Sequence, residues 1–217
     1  MEAMNLSPTA SRDDVQGPLA KPHRQPMNAN ASLVPAIRTA LVKDLRLYEF
    51  LASHAGALRR GQPRALHYLA RRCMHWRELE PREGEVCKHL GCAMAARLER
   101  VAPNMAREEA AVYGILVELA YAYLAGILPI ADLERAVSLI DALGFNLFTP
   151  ELYALATDTG RRSRVDRLQP SLSLLKGIGQ GADQQPGDPS LLDHAVRLIE
   201  SWAGEAVHWG GTAKNEA

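Results

Sequence analysis

Five residues of this sequence carry thiol or imidazole donors in close succession: Cys73 and His75, Cys87 and His89, and Cys92. Soft and imidazole donors in this mixture suit zinc. On a helix, side chains two apart point about 200° away from each other, whereas those three or four apart share a face. His89 and Cys92 meet that condition, while each Cys-x-His pair would need irregular backbone. The same residues also read as a small core thiol at Cys73 and histidines at helix edges, so a metal site built from the five stays open.

Other groups bear on chemistry less directly. Arg161, Arg162, Arg164 and Arg167 cluster in a polar stretch, and clustered arginines suit phosphate, although such a stretch also serves as a solvated loop. Glu99 and Glu109 each lie two residues from an arginine, Arg97 and Arg107, which fits structural pairing rather than acid and base roles. No Ser-His-Asp or Cys-His-Asn order is readable. No glycine-rich turn opens a βα unit, so no dinucleotide cofactor is expected.

The elements that must position these residues are helices. Leu33, Ile37, Leu41, Leu45, Tyr48 and Leu51 form one stripe at helical spacing. Gly61-Gln62-Pro63 marks a turn, after which Leu66, Leu69, Cys73 and Trp76 form the next. Pro81 closes it, and Val86, Leu90, Met94, Leu98 and Val101 make a third before Pro103. An apolar helix runs from about Glu108 to near Gly126, followed by an amphipathic one from Asp132 to Leu143 with Gly144 as its stop. Thr149-Pro150 and Asp188-Pro189 each read as an N-cap with proline at the first helical position. The second opens a helix from Leu191 to Trp202. Leu172 to Leu175, followed by Gly177-Ile178-Gly179, predicts a short strand and turn. Trp202 is expected in the core, and Trp209, in a glycine-rich polar terminus, is placed to anchor a partner.

The sequence therefore predicts a mainly α protein with at most a short β-hairpin near 170–184. A polar, disordered tail is expected over 1–31, a helical domain over 32–206 and a flexible terminus over 207–217. Of the 217 residues, 25 are Lys or Arg and 25 Asp or Glu, so no net field gathers nucleic acid or an anionic membrane. Three cysteines without a disulfide-scaffold pattern suit a reducing cytosol, and no basic region precedes an apolar stretch at the start, so a cytoplasmic protein is expected. Ala110 to Ile130 approaches the ~20 residues of a membrane span. It contains Glu118 and runs straight into an amphipathic helix, which favours a buried core helix.

Three segments in order resemble the C-terminal domain of the sugar phosphate cyclases, the superfamily of 3-dehydroquinate synthase and the 2-epi-5-epi-valiolone synthase-like enzymes. Residues 36–44, AIRTALVKD, are similar to the family's E-x-x-K-x-A-L-I-K-D helix. Residues 90–99, LGCAMAARLE, are similar to its F-G-H-x-x-x-H-x-L-E helix, and 107–115, REEAAVYGI, to its H-G-E-A-V-A-I-G helix. The likeness continues through YAYLAGILPIADLERAVSLIDALGF and LLKGIGQG, which leans toward the valiolone-synthase side.

The resemblance implies a zinc ion held by one Glu and two His, and an NAD-binding domain ahead of this region. The three ligand positions are here Pro35, Cys92 and Arg107; the second motif's other His is Ala96, and the first motif's Lys is Arg38. Proline has no side-chain donor and guanidinium is a permanent cation, so neither metal nor nicotinamide cofactor is expected, and no catalytic residue is assigned. The resulting expectation is a non-catalytic, half-length cyclase homologue acting as an interaction or regulatory subunit in a biosynthetic pathway. Its partner would be a second copy or a full-length cyclase paralogue, because removing a domain uncovers a face of about 600–1,500 Å². An alternative is a repurposed pocket that takes an anionic small molecule through Arg38 and Arg107, with Cys92 as a nucleophile whose pKa Arg107 would lower. Another is a cyclase half completed in trans by an NAD-binding chain.

Overall fold

A computed structural model describes residues 33–79, 90–157 and 171–209. Among these residues, eight helices and one hairpin follow in the order α1 (Val34–Val42), α2 (Leu45–Arg59), α3 (Pro63–Leu79), α4 (Cys92–Val101), α5 (Arg107–Leu124), α6 (Ile130–Ala142), α7 (Leu152–Thr157), β1 (Ser171–Leu175), β2 (Ala182–Pro186) and α8 (Pro189–Trp209). The mainly α expectation holds, as does the hairpin. The two strands pair antiparallel from Ser171 opposite Pro186 to Leu175 opposite Ala182.

The apolar helix α5 is the axis of the domain. Every residue from Ala110 to Ala122 is buried, Glu118 included, and α4, α8, β1, α6 and α1 pack around it. An all-round apolar helix must be sheathed by protein or lipid, and here neighbouring helices do the sheathing. No helix among the described residues is long and apolar enough to cross a membrane.

The stripe from Leu33 to Leu51 is not one helix but two. The chain breaks at Lys43 and Asp44, and the Asp44 carboxylate accepts from the Leu47 amide at 3.0 Å to start α2. Asp44 also faces Arg72 on α3 at 3.2 Å. The new helix axis turns Leu45 outward, leaving it 45% exposed. At the other end of the third stripe, Val101 is also exposed. Thr149 does not cap its helix: its hydroxyl bonds the Glu151 carboxylate, and α7 begins later, at Leu152. Asp188 does cap, accepting from both the amide and the hydroxyl of Ser190 at 2.9 Å.

The hairpin loop closes the C-terminal end of α1. Gly179 and Gly181 donate their amides to the carbonyls of Leu41 and Val42, each at 2.7 Å, and Ile178 donates to Asp132 on α6 at 3.3 Å. Those carbonyls would otherwise be orphaned at the helix end. Gly144 follows α6 with φ of 94°, as a helix stop requires. Trp202 is half-buried against the core, and α8 continues past it to Trp209. The proposed tail, 1–31, lies outside the described residues.

Candidate functional site

The start of α4 is fixed by two glycines. Gly91, its N-cap, has φ of 76°. Its neighbour across the interface is Gly114 on α5: a Cβ on Gly114 would stand 2.1 Å from the Gly91 carbonyl oxygen, and one on Gly91 would stand 2.5 Å from the Ile115 amide nitrogen. Helices α4 and α5 therefore meet backbone to backbone, and Cys92 sits at the first helical position beside that contact.

One peptide at this contact is held from both ends. The Leu90 carbonyl accepts from Arg38 Nε at 2.8 Å. The amide of the same peptide unit, Gly91 N–H, donates to Glu118 Oε2 at 2.7 Å. Glu118 Oε2 also accepts from Ser173 N–H on β1 at 3.2 Å, while Oε1 has no hydrogen-bond partner among the described residues. Burial pushes the Glu118 carboxyl up to about 8, against the opposing pull of the two amides and of Arg38. A carboxylate here would have to leave water with one oxygen unsatisfied.

Cys92 is half-buried. Burial raises its thiol above the ordinary range; Arg38 and Arg107 pull it down, and Glu118 pushes it up. Arg107 does lower it, as the sequence suggested, but desolvation outweighs both guanidinium groups. Burial therefore works against thiolate formation at Cys92.

The five positions implied by the family resemblance fall as follows. Arg38 and Arg107 both act on Cys92, so these three share one corner. Pro35 lies one turn before Arg38 with its ring exposed, and its carbonyl accepts from the Thr39 hydroxyl at 2.9 Å. Ala96 is exposed on α4. Arg107 is exposed and 3.8 Å from Glu99, so Glu99 faces the arginine that the sequence places beside Glu109. Arg97 instead turns inward and donates to the Leu155 carbonyl at 3.3 Å.

These side chains do not fit a divalent cation. A catalytic zinc takes about three protein ligands, and of Pro35, Cys92 and Arg107 only the thiol can be one. Two guanidinium groups bear on that thiol. Among the described residues no three His, Cys, Asp or Glu side chains gather where they could hold a metal ion. The Cys87 and His89 pair and the Arg161–Arg167 cluster lie outside the described residues. Cys73 and His75 fall on the end of α3, outside the described side chains.

Glu118 is the one residue of this corner that the motifs did not flag. The signal for Glu118 was present: a lone carboxylate amid an otherwise apolar helix must be capped or neutral.

The fold, mainly helical with one hairpin, has a solved counterpart. Among solved structures it is similar to ValA, the 2-epi-5-epi-valiolone synthase of Streptomyces hygroscopicus subsp. jinggangensis 5008 with NAD+ and Zn2+ bound, with a TM-score of 0.62. The identity is 24% over 78% of this chain and 50% of that one, so the chain spans about half the length of that synthase. At this identity the likeness concerns the fold. No family model and no curated protein matches the chain.

Proposed function

We propose that this chain is a non-catalytic relative of the sugar phosphate cyclases that works by binding a partner chain, as an interaction or regulatory subunit in a biosynthetic pathway. The observation that carries this reading is the corner at Cys92. The similar synthase binds NAD+ and Zn2+, whereas here the positions that resemble the family's zinc ligands offer one half-buried thiol, a solvent-facing proline and an exposed guanidinium. A cationic surrounding repels a second cation. The zinc of that synthase therefore has no counterpart built from these residues, and no cyclase step is derived through it.

The partner proposed is a second copy or a full-length cyclase. Light scattering of the purified protein, alone and mixed with a full-length cyclase from the same source, tests it. A dimer or a stable complex is expected; a monomer that binds neither would overturn the interaction role.

A second reading has one observation in its favour: Arg38 and Arg107 both bear on the same thiol. This arrangement suits an anionic small molecule. Inorganic phosphate should then raise the melting temperature, and Arg38→Gln should abolish that rise. No rise in the unmodified protein would dismiss it.

A further inference from the structure

We propose that Glu118 is a proton-operated latch on the Leu90–Gly91 turn: neutral, it keeps α4, α5 and β1 closed, and ionised, it opens the start of α4 and uncovers Cys92. The proposal does not depend on the interaction role, because it rests on the internal geometry of the corner.

The latch is built from three contacts on one carboxyl. Oε2 takes the amides of Gly91 and Ser173, joining the first turn of α4 to the hairpin, and Oε1 has no donor among the described residues. A neutral carboxyl can occupy this place with its carbonyl oxygen facing the two amides. A carboxylate leaves a half-charged oxygen bare in an apolar interior, at a cost that burial does not repay.

The surrounding charges do not remove that cost. From α1, Arg38 is the cation that acts on Glu118, and its Nε is committed to the Leu90 carbonyl. From α4, Cys92 is the titratable group coupled to it. The hairpin contributes the Ser173 amide, and among the described residues no ionisable side chain of α6 or α8 enters its titration. Relief therefore requires water at Oε1, and the joint that loosens with the carboxyl is the Gly91 turn, whose amide donates to it. Packing elsewhere is held by the apolar faces of α5, whereas Gly91 brings no side chain to the contact and leans on Gly114. The burial-raised pKa, to about 8, sets the range in which the latch operates.

Amide hydrogen exchange of the intact chain tests this, with rates corrected for intrinsic exchange at each pH. Protection at Gly91 and Ser173 should fall by about tenfold for a one-decade shift in the opening equilibrium between pH 7 and 9, while α6 amides keep theirs. Alkylation of Cys92, followed on its own peptide, should rise over the same interval beyond what thiol ionisation supplies. Glu118→Gln, which cannot ionise, should give flat protection. Arg38→Met, which removes the cation, should move the transition to higher pH. Flat protection in the unmodified protein, or an unchanged transition in Glu118→Gln, overturns the latch. Should Glu118→Gln fail to fold, the unmodified protein and Arg38→Met decide it.

Discussion

The carbonyl oxygen of Gly91 rests on the α-carbon of Gly114, so closely that a methyl group on Gly114 would lie 2.1 Å from it. This contact sets the spacing of α4 and α5 and places Cys92 at the edge of the corner it shares with Arg38 and Arg107. Neither neighbour can move aside, because the clashing atoms are backbone rather than flexible side-chain ends.

Gly114→Ala should therefore destabilise the protein by about 3 kcal/mol or more, at the upper end of overpacking costs. Gly91→Ala should cost at least as much, because its φ of 76° adds left-handed strain to the clash. Gly126 provides the control: its φ is 72°, but a Cβ would meet nothing within 4 Å. Gly126→Ala should cost only about 1 kcal/mol, the strain alone. Urea unfolding midpoints of the three variants should separate in that order.

The Glu118 carboxyl makes stability fall with rising pH. Its folded pKa of about 8 stands above the ordinary 4.5, so between those values the folded state holds a proton that the unfolded state has released. The contribution is whole below the unfolded value, declines as pH rises, and is spent once the folded value is passed. Linkage puts its span at up to about 5 kcal/mol. Subtracting the Glu118→Gln stability curve from that of the unmodified protein should leave this slope. A difference that is flat from pH 5 to 8 would contradict it.

Much of this was legible in the sequence, for physical reasons that also mark where legibility ended. Proline and glycine set helix ends at Pro63, Gly144 and Pro189, and the alternation at Leu172 to Leu175 gave the hairpin. The break at Asp44 was hidden because Leu41, Leu45 and Tyr48 stay in helical phase across it. Only the cap to Leu47 and the pairing with Arg72 reveal why the chain turns. The charges of the motif residues Arg38 and Arg107 both reach the Cys92 thiol. Glu118, the most perturbed acid of that corner, is reached only through contacts from residues 27 and 55 positions away, which periodicity does not encode.

Asp44 should matter to stability through its contacts with Leu47 and Arg72. Asp44→Ala removes the α2 cap and the partner of Arg72, and should cost about 1–2 kcal/mol. Arg72→Ala should cost less, since Arg72 is 30% exposed and water screens the pair. Thermal melts of the two single variants and the double variant should show the two changes to be non-additive.

Tyr121 ties α5 to α8 by accepting from the Asp188 amide at 2.7 Å. Tyr121→Phe leaves that amide without its acceptor and should cost about 1–2 kcal/mol, as for a part-buried donor left unpaired. A loss below a few tenths, read from chemical denaturation, would mean that water replaces the hydroxyl.

The measurement that bears most directly on the central claim is the zinc content of the protein purified from cells grown with ample zinc and without chelators. With proline, thiol and guanidinium at the three positions, far less than one zinc per chain is expected, and Cys92→Ala should leave the amount unchanged. One tightly held zinc per chain that disappears in Cys92→Ala would contradict the account.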